Sequence, residues 1–363
     1  MQRRLSIMIW VALIAILTVV MLGALGCGGS STTTTAAGST TSATTAVSST
    51  TTAASTTQTT GAPASSKVYK VGISVITSHP VLDAEVVALK KAMADQGFVE
   101  GQNVQYDLQN ANGDMSVASS IAQKFAGENL DLIFTVTTPS SQAMAKAVTS
   151  TPIVFVSVTD PVAAGLLKDL KAPEGNITGI SDLYPVDKHL ALIQQLVPKA
   201  KTLGLLYNAG EANSVALVEK LEKPQAEAKG YKVITATASN SGEVQAAAQS
   251  LVGRVDAISV LQDNTVVSAL EAVIKVGQEN KIPVIVADSD SVKRGGVAAY
   301  GQDPSDIGGQ AGIMGAQILK GASPKDIPVG YAKNLTLTLN QKSADLMGVT
   351  FPDALKSAAS QIF

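Results

Sequence analysis

The chain has 363 residues, a formal net charge of -2, 15% charged and 4% aromatic residues, two histidines and one cysteine. One cysteine rules out an internal disulfide or a Cys-built zinc site, and His79 and His189 alone leave little for a His-built metal centre or triad. The near-neutral balance gives no basic footprint for nucleic acid, and the length suits roughly two domains of about 150 residues each.

The charge is unevenly spread. Arg3 and Arg4 are the only Lys, Arg, Asp or Glu residues before Lys67. Of 27 basic residues, those two removed leave 25 against 29 acidic ones, so the body from Lys67 onward carries -4. Arg3 and Arg4 precede an apolar run from Leu5 to about Leu25, followed by Gly23-Ala-Leu-Gly-Cys27. A basic start, an apolar segment and small residues form a secretory signal. The run is long enough for an uncleaved anchor as well. Gly26 directly before Cys27 resembles the bacterial lipobox, although Ala24 stands where Leu is usual. That resemblance implies cleavage after residue 26 and lipid attachment at Cys27. Residues 28–66 are nearly all Ser, Thr, Ala and Gly. Such a stretch has too little apolar bulk to offset the entropy of ordering and reads as a tether. Trp10 leaves with the leader, so the processed chain contains no tryptophan.

From Lys70 onward, short apolar β-branched runs alternate with helical patterns. Strands are expected at 71–76, 104–108, 131–137, 153–158 and 177–181, with helices at 81–96, 116–127, 141–148 and 162–170 between them. The pattern then restarts. Strands are expected at 203–207, 232–237, 257–261, 284–287, 297–300 and 335–339, with helices at 214–229, 243–251, 266–280 and 306–319. Continuous apolar strands separated by helices indicate parallel sheets covered on both faces. The fold class is therefore α/β, with two similar doubly wound lobes. The halves also match in detail. Asp131-Leu-Ile-Phe-Thr-Val lines up with Asp256-Ala-Ile-Ser-Val-Leu, and Pro152-Ile-Val-Phe-Val lines up with Pro283-Val-Ile-Val-Ala.

Open parallel sheets bind ligands beyond the carboxyl ends of their strands. Here those ends read Thr77-Ser-His-Pro80, Thr137-Thr-Pro-Ser-Ser141, Thr159-Asp-Pro161, Asn208 to Asn213, Gln262-Asp-Asn-Thr265 and Asp288-Ser-Asp290. Ser, Thr, Asp and Asn at these places are, taken singly, first of all helix caps, and they also serve as ligand contacts. Together they describe a cleft with one hydroxyl-rich and one carboxylate-rich wall. No dinucleotide fingerprint, phosphate loop, nucleophile elbow or metal spacing occurs, which argues against an enzyme and leaves no cofactor to expect.

Five segments carry a family resemblance: Thr137-Thr-Pro-Ser-Ser-Gln-Ala, Val156-Ser-Val-Thr-Asp-Pro-Val-Ala-Ala-Gly, Asn176-Ile-Thr-Gly-Ile-Ser-Asp, Tyr207-Asn-Ala-Gly-Glu-Ala-Asn-Ser and Ala298-Ala-Tyr-Gly-Gln-Asp. With the leader and tether, they make the chain resemble a substrate-binding lipoprotein of an ABC importer. The fold of that family is the type I periplasmic-binding one, and its members include tryptophan/tyrosine (aromatic amino-acid) receptors. The resemblance implies an extracytoplasmic location, a lipid anchor in the membrane, and a permease with its ATPase subunit as partners. It implies lobes at 67–182 plus 303–332 and 183–302 plus 333–363. The crossovers fall near 181–184, 301–304 and 320–333. A ligand-sensing receptor for a membrane signalling partner, or a nucleoside or sugar binder, would share the fold.

For an α-amino acid ligand, Thr138, Ser140, Ser141 and Thr159 offer donors to the carboxylate. By analogy with branched-chain amino-acid receptors, Asp288 is the first choice to accept the ammonium, with Asp160 and Asp263 in reserve beside Asn264. On that choice, Asp288→Ala should abolish binding and leave the stability of the ligand-free protein unchanged. His79 follows the first strand as a ligand contact or a loop residue. His189 opens a helix and reads as surface. Tyr184 and Tyr207 are stacking candidates for an aromatic ligand, and Asn208, Glu211 and Asn213 line the second-lobe entrance.

Overall fold

The computed structural model describes residues 67–363. The leader, Cys27 and the tether lie outside the described residues. In chain order the first part runs β1 (Tyr69–Val75), α1 (Pro80–Asp95), β2 (Val104–Asn110), α2 (Met115–Gly127), β3 (Leu132–Val136), α3 (Thr138–Ala147), β4 (Ile153–Val156) and β5 (Ile177–Ser181). The second part runs α4 (Val186–Leu196), β6 (Thr202–Tyr207), α5 (Ala212–Leu217), α6 (Lys223–Ala228), β7 (Lys232–Thr237), α7 (Val244–Gln249), β8 (Ala257–Val260), α8 (Asn264–Ser268), α9 (Leu270–Asn280), β9 (Val284–Val286), α10 (Ser289–Lys293) and β10 (Ala298–Gln302). The chain then forms α11 (Pro304–Leu319), β11 (Gly330–Tyr331), β12 (Leu335–Leu339), α12 (Gln341–Met347), α13 (Asp353–Ala358) and β13 (Gln361–Ile362).

Two parallel sheets organise these elements. The first has the order β11-β5-β4-β3-β1-β2 and the second the order β7-β6-β8-β9. Separate apolar clusters cover the two faces of the first sheet. One holds Leu89, Met93, Phe134 and Ala311, the other Phe125, Met144, Ile153 and Phe155. A single larger cluster that includes Leu190, Leu205, Ile258 and Ile285 fills the second lobe. The second sheet ends at β9. β10 pairs instead antiparallel with β12, which pairs with β13. Both lobes thus contain a doubly wound parallel sheet, and the second adds a small sheet built from the returning chain.

The matching Asp-led strands have a shared physical cause. Asp131 accepts from the Lys70 N–H at 2.8 Å, and Asp256 accepts from the Lys201 and Thr202 N–H groups at 2.8 Å. In each lobe the acid at the foot of the third strand clamps the start of the first strand beside it.

Three expected helices differ from the structure. Residues 162–170 form turns, because Asp160 accepts from Val162 N and Ala163 N, and Gly165 then takes a left-handed φ of 74°. The expected helix 214–229 contains Pro224, which has no N–H to continue the ladder. The chain absorbs it with a π turn at Val218–Glu222 before α6. The helix expected at 266–280 breaks at Ala269 into α8 and α9. The chain passes between the lobes at 182–185, at Asp303 and at 332–334, since β11 belongs to the first sheet and β12 to the second lobe.

Candidate functional site

The carboxyl ends of the strands in both lobes converge on one cavity of about 620 Å³, its open mouth included. Three first-lobe helices begin at it, and each carries a proline in its first turn, Pro80, Pro139 and Pro304, whose fixed φ suits that turn. From this side come His79, Glu85, Thr137, Thr138, Ser157, Thr159 and Asp182. The other side supplies Asn213, Gln262, Asp263, Asn264, Asp288 and Gln302. Val81, Leu82, Val267, Ala287, Pro304 and Ile307 form the apolar part.

Two lining residues hold backbone conformations that L-residues rarely adopt. Thr137 has φ 78° and ψ 163°, and Ser157 has φ 54°. Strain of this kind, of order 1–3 kcal/mol per residue, collects where a site needs a group held in place. Both residues are buried where a strand gives way to the cavity.

The lining is also unusual in its unmet hydrogen-bonding capacity. Buried polar groups nearly always have partners. Yet His79 Nδ1, Glu85 Oε2, Thr137 Oγ1, Thr138 Oγ1, Asp182 Oδ1, Asn213 Oδ1 and Gln262 Oε1 have none among the described residues. No Lys or Arg is among the lining residues. Burial pushes Glu85 up to about 8, partly offset by the Ser157 hydroxyl, with nearby Asp182 adding to the rise. Burial pushes Asp182 up to about 6 against the pull of the Thr159 hydroxyl. Asp263 rises through burial and through the neighbouring Glu211 carboxylate. His79 is pushed down to about 4, first by burial and then by Arg294, so it is a neutral imidazole.

Of the residues singled out in the sequence, Thr138, Thr159, His79, Asn213, Asp263, Asn264 and Asp288 line the cavity. Asp288 is also the N-cap of α10, where its two oxygens accept from Ser291 N at 2.7 Å and Ser291 Oγ at 2.6 Å. Each of its oxygens thus already accepts one bond from its own helix, which leaves further acceptor capacity toward the cavity. Asp263 likewise accepts from Asn208 N, Ser214 Oγ and Val266 N.

The other candidates are absent from the lining. Ser141 Oγ is held by Thr135 Oγ1 and Thr137 O at 2.8 Å, and Ser140 is buried beside it. Asp160 caps the turn after β4. Asn208 and Glu211 line a separate outer groove. There Glu211 clamps the start of α8 through Asn264 and Thr265. Tyr207 donates to Glu219 at 2.6 Å. Tyr184 is buried with its ring edge-on to His189, at a centroid distance of 5.7 Å. His189 is not a surface residue. It is fully buried, with Nε2 2.7 Å from Ser259 Oγ, and Ser259 Oγ donates to Glu222 at 2.5 Å.

Glu85, Thr137, Ser157, Asp182, Gln262 and Gln302 line the cavity without having been singled out. Thr137, Ser157, Asp182, Gln262 and Gln302 lay inside the quoted segments. Glu85 lay mid-helix, where only a charged residue on the apolar stripe with Leu82 and Leu89 marks it.

Among the described residues no cluster of His, Cys, Asp or Glu suits a metal ion, and no helix is long and apolar enough to cross a membrane.

Residues 70–363 match the family model described as ABC transporter substrate binding protein. The chain is 41% identical over 277 residues to a tyrosine-binding protein of Clostridioides difficile, covering 76% of this chain and 80% of that one. An ABC domain from Streptococcus pneumonia in complex with L-Trp aligns at 34% identity and TM-score 0.79, covering 82% of this chain and 100% of that one. The ligand-free, open form of a substrate-binding protein with adhesive properties from Clostridium difficile aligns at 40% identity, covering 81% of this chain and 99% of that one. Its TM-score is only 0.62.

Proposed function

The chain belongs to the ABC transporter substrate binding protein family, and we propose that it captures an aromatic L-amino acid in the cavity between its lobes. The family works outside the cytoplasm with an ABC permease, and its members bind small molecules rather than transform them. The observation that carries the amino-acid reading is the cavity's unmatched polar set beside an apolar wall. Thr137 and Thr138, at the N-terminus of the ten-residue α3, present hydroxyls with no partner. A carboxylate there gains charge-assisted bonds and a favourable helix end. Asp182 Oδ1 offers an acceptor with no cation in the lining to meet it. Leaving a buried carboxylate unpaired is costly, so the group suits an ammonium. Val81, Leu82, Val267 and Ile307 supply an apolar wall for a ring. A neutral sugar would donate hydroxyls to these acids but leave their charge uncompensated. The tyrosine-binding and L-Trp-bound relatives support the aromatic side chain.

In this reading the lobes are 67–182 plus 303–332 and 183–302 plus 333–363, and they close by hinge motion in the three crossovers. Closure presents the surface that the permease recognises. Lipid attachment at Cys27 and the 28–66 tether would hold the body near that permease at high effective concentration.

The test is titration calorimetry of the full-length protein against L-tyrosine, L-tryptophan, L-phenylalanine, a branched-chain amino acid, a nucleoside and a hexose. Aromatic amino acids should bind at least about 30-fold more tightly than the rest, a difference of roughly 2 kcal/mol. Tight binding of the nucleoside or hexose with no amino-acid response overturns the reading.

A further inference from the structure

Glu85 differs from every other acid in the cavity. It sits in the second turn of α1, 1% exposed, where a surface helix would place an apolar residue. Its Oε1 accepts one bond, from Ser157 Oγ at 2.6 Å, and its Oε2 is buried without a partner among the described residues, on a residue that lines the cavity. Ser157 itself holds a strained φ of 54° at the end of β4, so backbone strain is spent on fixing this carboxyl.

No positive group among the described residues that line the cavity answers it. From the first crossover it faces Asp182, and from its own helix the neutral His79. On α11, which packs its backbone against Glu85 at Gly308, the acid of the first turn is Asp306, already accepting from Gln310 Nε2 and Lys333 N. Across the cavity are Asp263 and Asp288. A second buried anion beside Asp182 is costly, so the ligand-free carboxyl keeps its proton, consistent with its rise to about 8.

We infer that Glu85 selects ligands bearing a protonated amine and takes hold of that amine by giving up its own proton. The inference rests on the amino-acid reading of the cavity. The exchange balances. The neutral carboxyl and the ammonium enter, a carboxylate–ammonium pair forms, and one proton goes to solvent. The site thereby gains a charge only when the matching charge is present. A ligand without the amine finds a neutral acid and a competing carboxylate, and gains nothing from either.

The experiment measures proton release and amine preference together. Full-length protein is titrated near neutral pH with L-tyrosine in two buffers of different ionisation heat, and with the deaminated analogue 3-(4-hydroxyphenyl)propionate. The wild type should release close to one proton with L-tyrosine and prefer it over the analogue by at least about 100-fold, while Glu85→Gln should release almost none and lose at least about tenfold of that preference. Binding without proton release, or an unchanged preference in Glu85→Gln, overturns the inference and leaves the amino-acid reading standing. If no amino acid binds, that reading fails by itself. The inference is then judged on potentiometric titration of the ligand-free proteins, where wild type should show one proton titrating around pH 8 that Glu85→Gln lacks. Its absence also overturns the inference.

Discussion

A Cβ on Gly308 would run into the backbone carbonyl oxygen of Glu85, so α11 and α1 touch backbone to backbone at the turn that carries the cavity acid. One turn later Gly312 makes the same approach to the Leu89 carbonyl. The spacing of Gly308, Gly312 and Gly315 follows one face of α11, and that face buries against α1 and the Phe134 ring. Pro304 and Ile307, at the start of α11, then reach the cavity beside Glu85.

Gly308→Ala should therefore weaken both folding and binding. Overpacking of a tight contact costs about 1–3 kcal/mol, and relief requires α1 to move with Glu85 on it. Gly309 is the control, because a Cβ there meets nothing within 4 Å. Gly309→Ala should stabilise the helix by up to about 1 kcal/mol and leave affinity unchanged. Chemical denaturation and ligand titration of both variants check this. Equal behaviour of the two sinks the argument.

Thr137 stands at φ 78° and ψ 163°, a region suited to glycine, and its hydroxyl has no partner. Thr137→Gly should raise the stability of the ligand-free protein by about 1 kcal/mol, the released strain less the added freedom of the unfolded chain. The same variant should bind its ligand at least about tenfold more weakly, since one carboxylate donor is gone. Stability lost together with affinity would show that Thr137 serves only the fold.

Much of this architecture was legible in the sequence, and the reasons can be named. Strand ends announce themselves because β-branched apolar runs stop at Ser, Thr, Asp and Asn, and the cavity lies where those runs stop. Which oxygens remain free could not be read. Asp288 and Asp182 both follow strands, but only the fold shows that Ser291 N and Oγ each bond an oxygen of Asp288 while Asp182 Oδ1 has no partner among the described residues. His189 looked like surface because a helix stripe of Ala191, Leu192 and Leu196 seemed complete without it. Its partner Ser259 comes from β8 and Glu222 from the π turn, two segments far away in the chain.

The two acids should separate by mutation. Asp182→Asn removes the free acceptor charge. It should lower amino-acid affinity by at least about 30-fold, the lower range for losing one partner of a buried charged pair. Ligand-free stability should hold or rise, because a buried amide is cheaper than a buried carboxyl near its titration point. Asp288→Ala removes the α10 cap and should cost about 1 kcal/mol of stability in the ligand-free protein. The expectation that this substitution leaves stability untouched is thus revised by its bonds to Ser291. Thermal denaturation with and without L-tyrosine measures both. Loss of affinity in Asp288→Ala at unchanged stability would restore Asp288 as the ammonium acceptor.

The buried carboxyls and histidines also set the pH dependence of folding. Burial raises Glu85 to about 8 and Glu222 to about 7, above the ordinary 4.5. A carboxyl raised in this way binds its proton more tightly when folded. Its contribution is full below the unfolded value and is lost as pH climbs through the folded one. His79 and His189 are lowered by burial to about 4 and about 3 from 6.5. They act oppositely, because the unfolded chain takes up their protons first. Stability is lost as pH falls below 6.5 toward those values. Above pH 6.5 the unfolded histidines hold at most about half a proton each and almost none by about pH 7.5, less than the folded carboxyls hold, so the carboxyl loss prevails. The melting temperature of the ligand-free protein should therefore fall steadily between about pH 6.5 and about pH 8. Glu222→Gln keeps a hydrogen-bonding group beside Ser259 and removes one titrating proton, so its decline should be shallower. Glu85→Gln should flatten the upper part of the range, nearest pH 8. Melting curves across that range decide the matter. A wild-type melting temperature that holds level or rises contradicts the assignment of protons to these two buried acids.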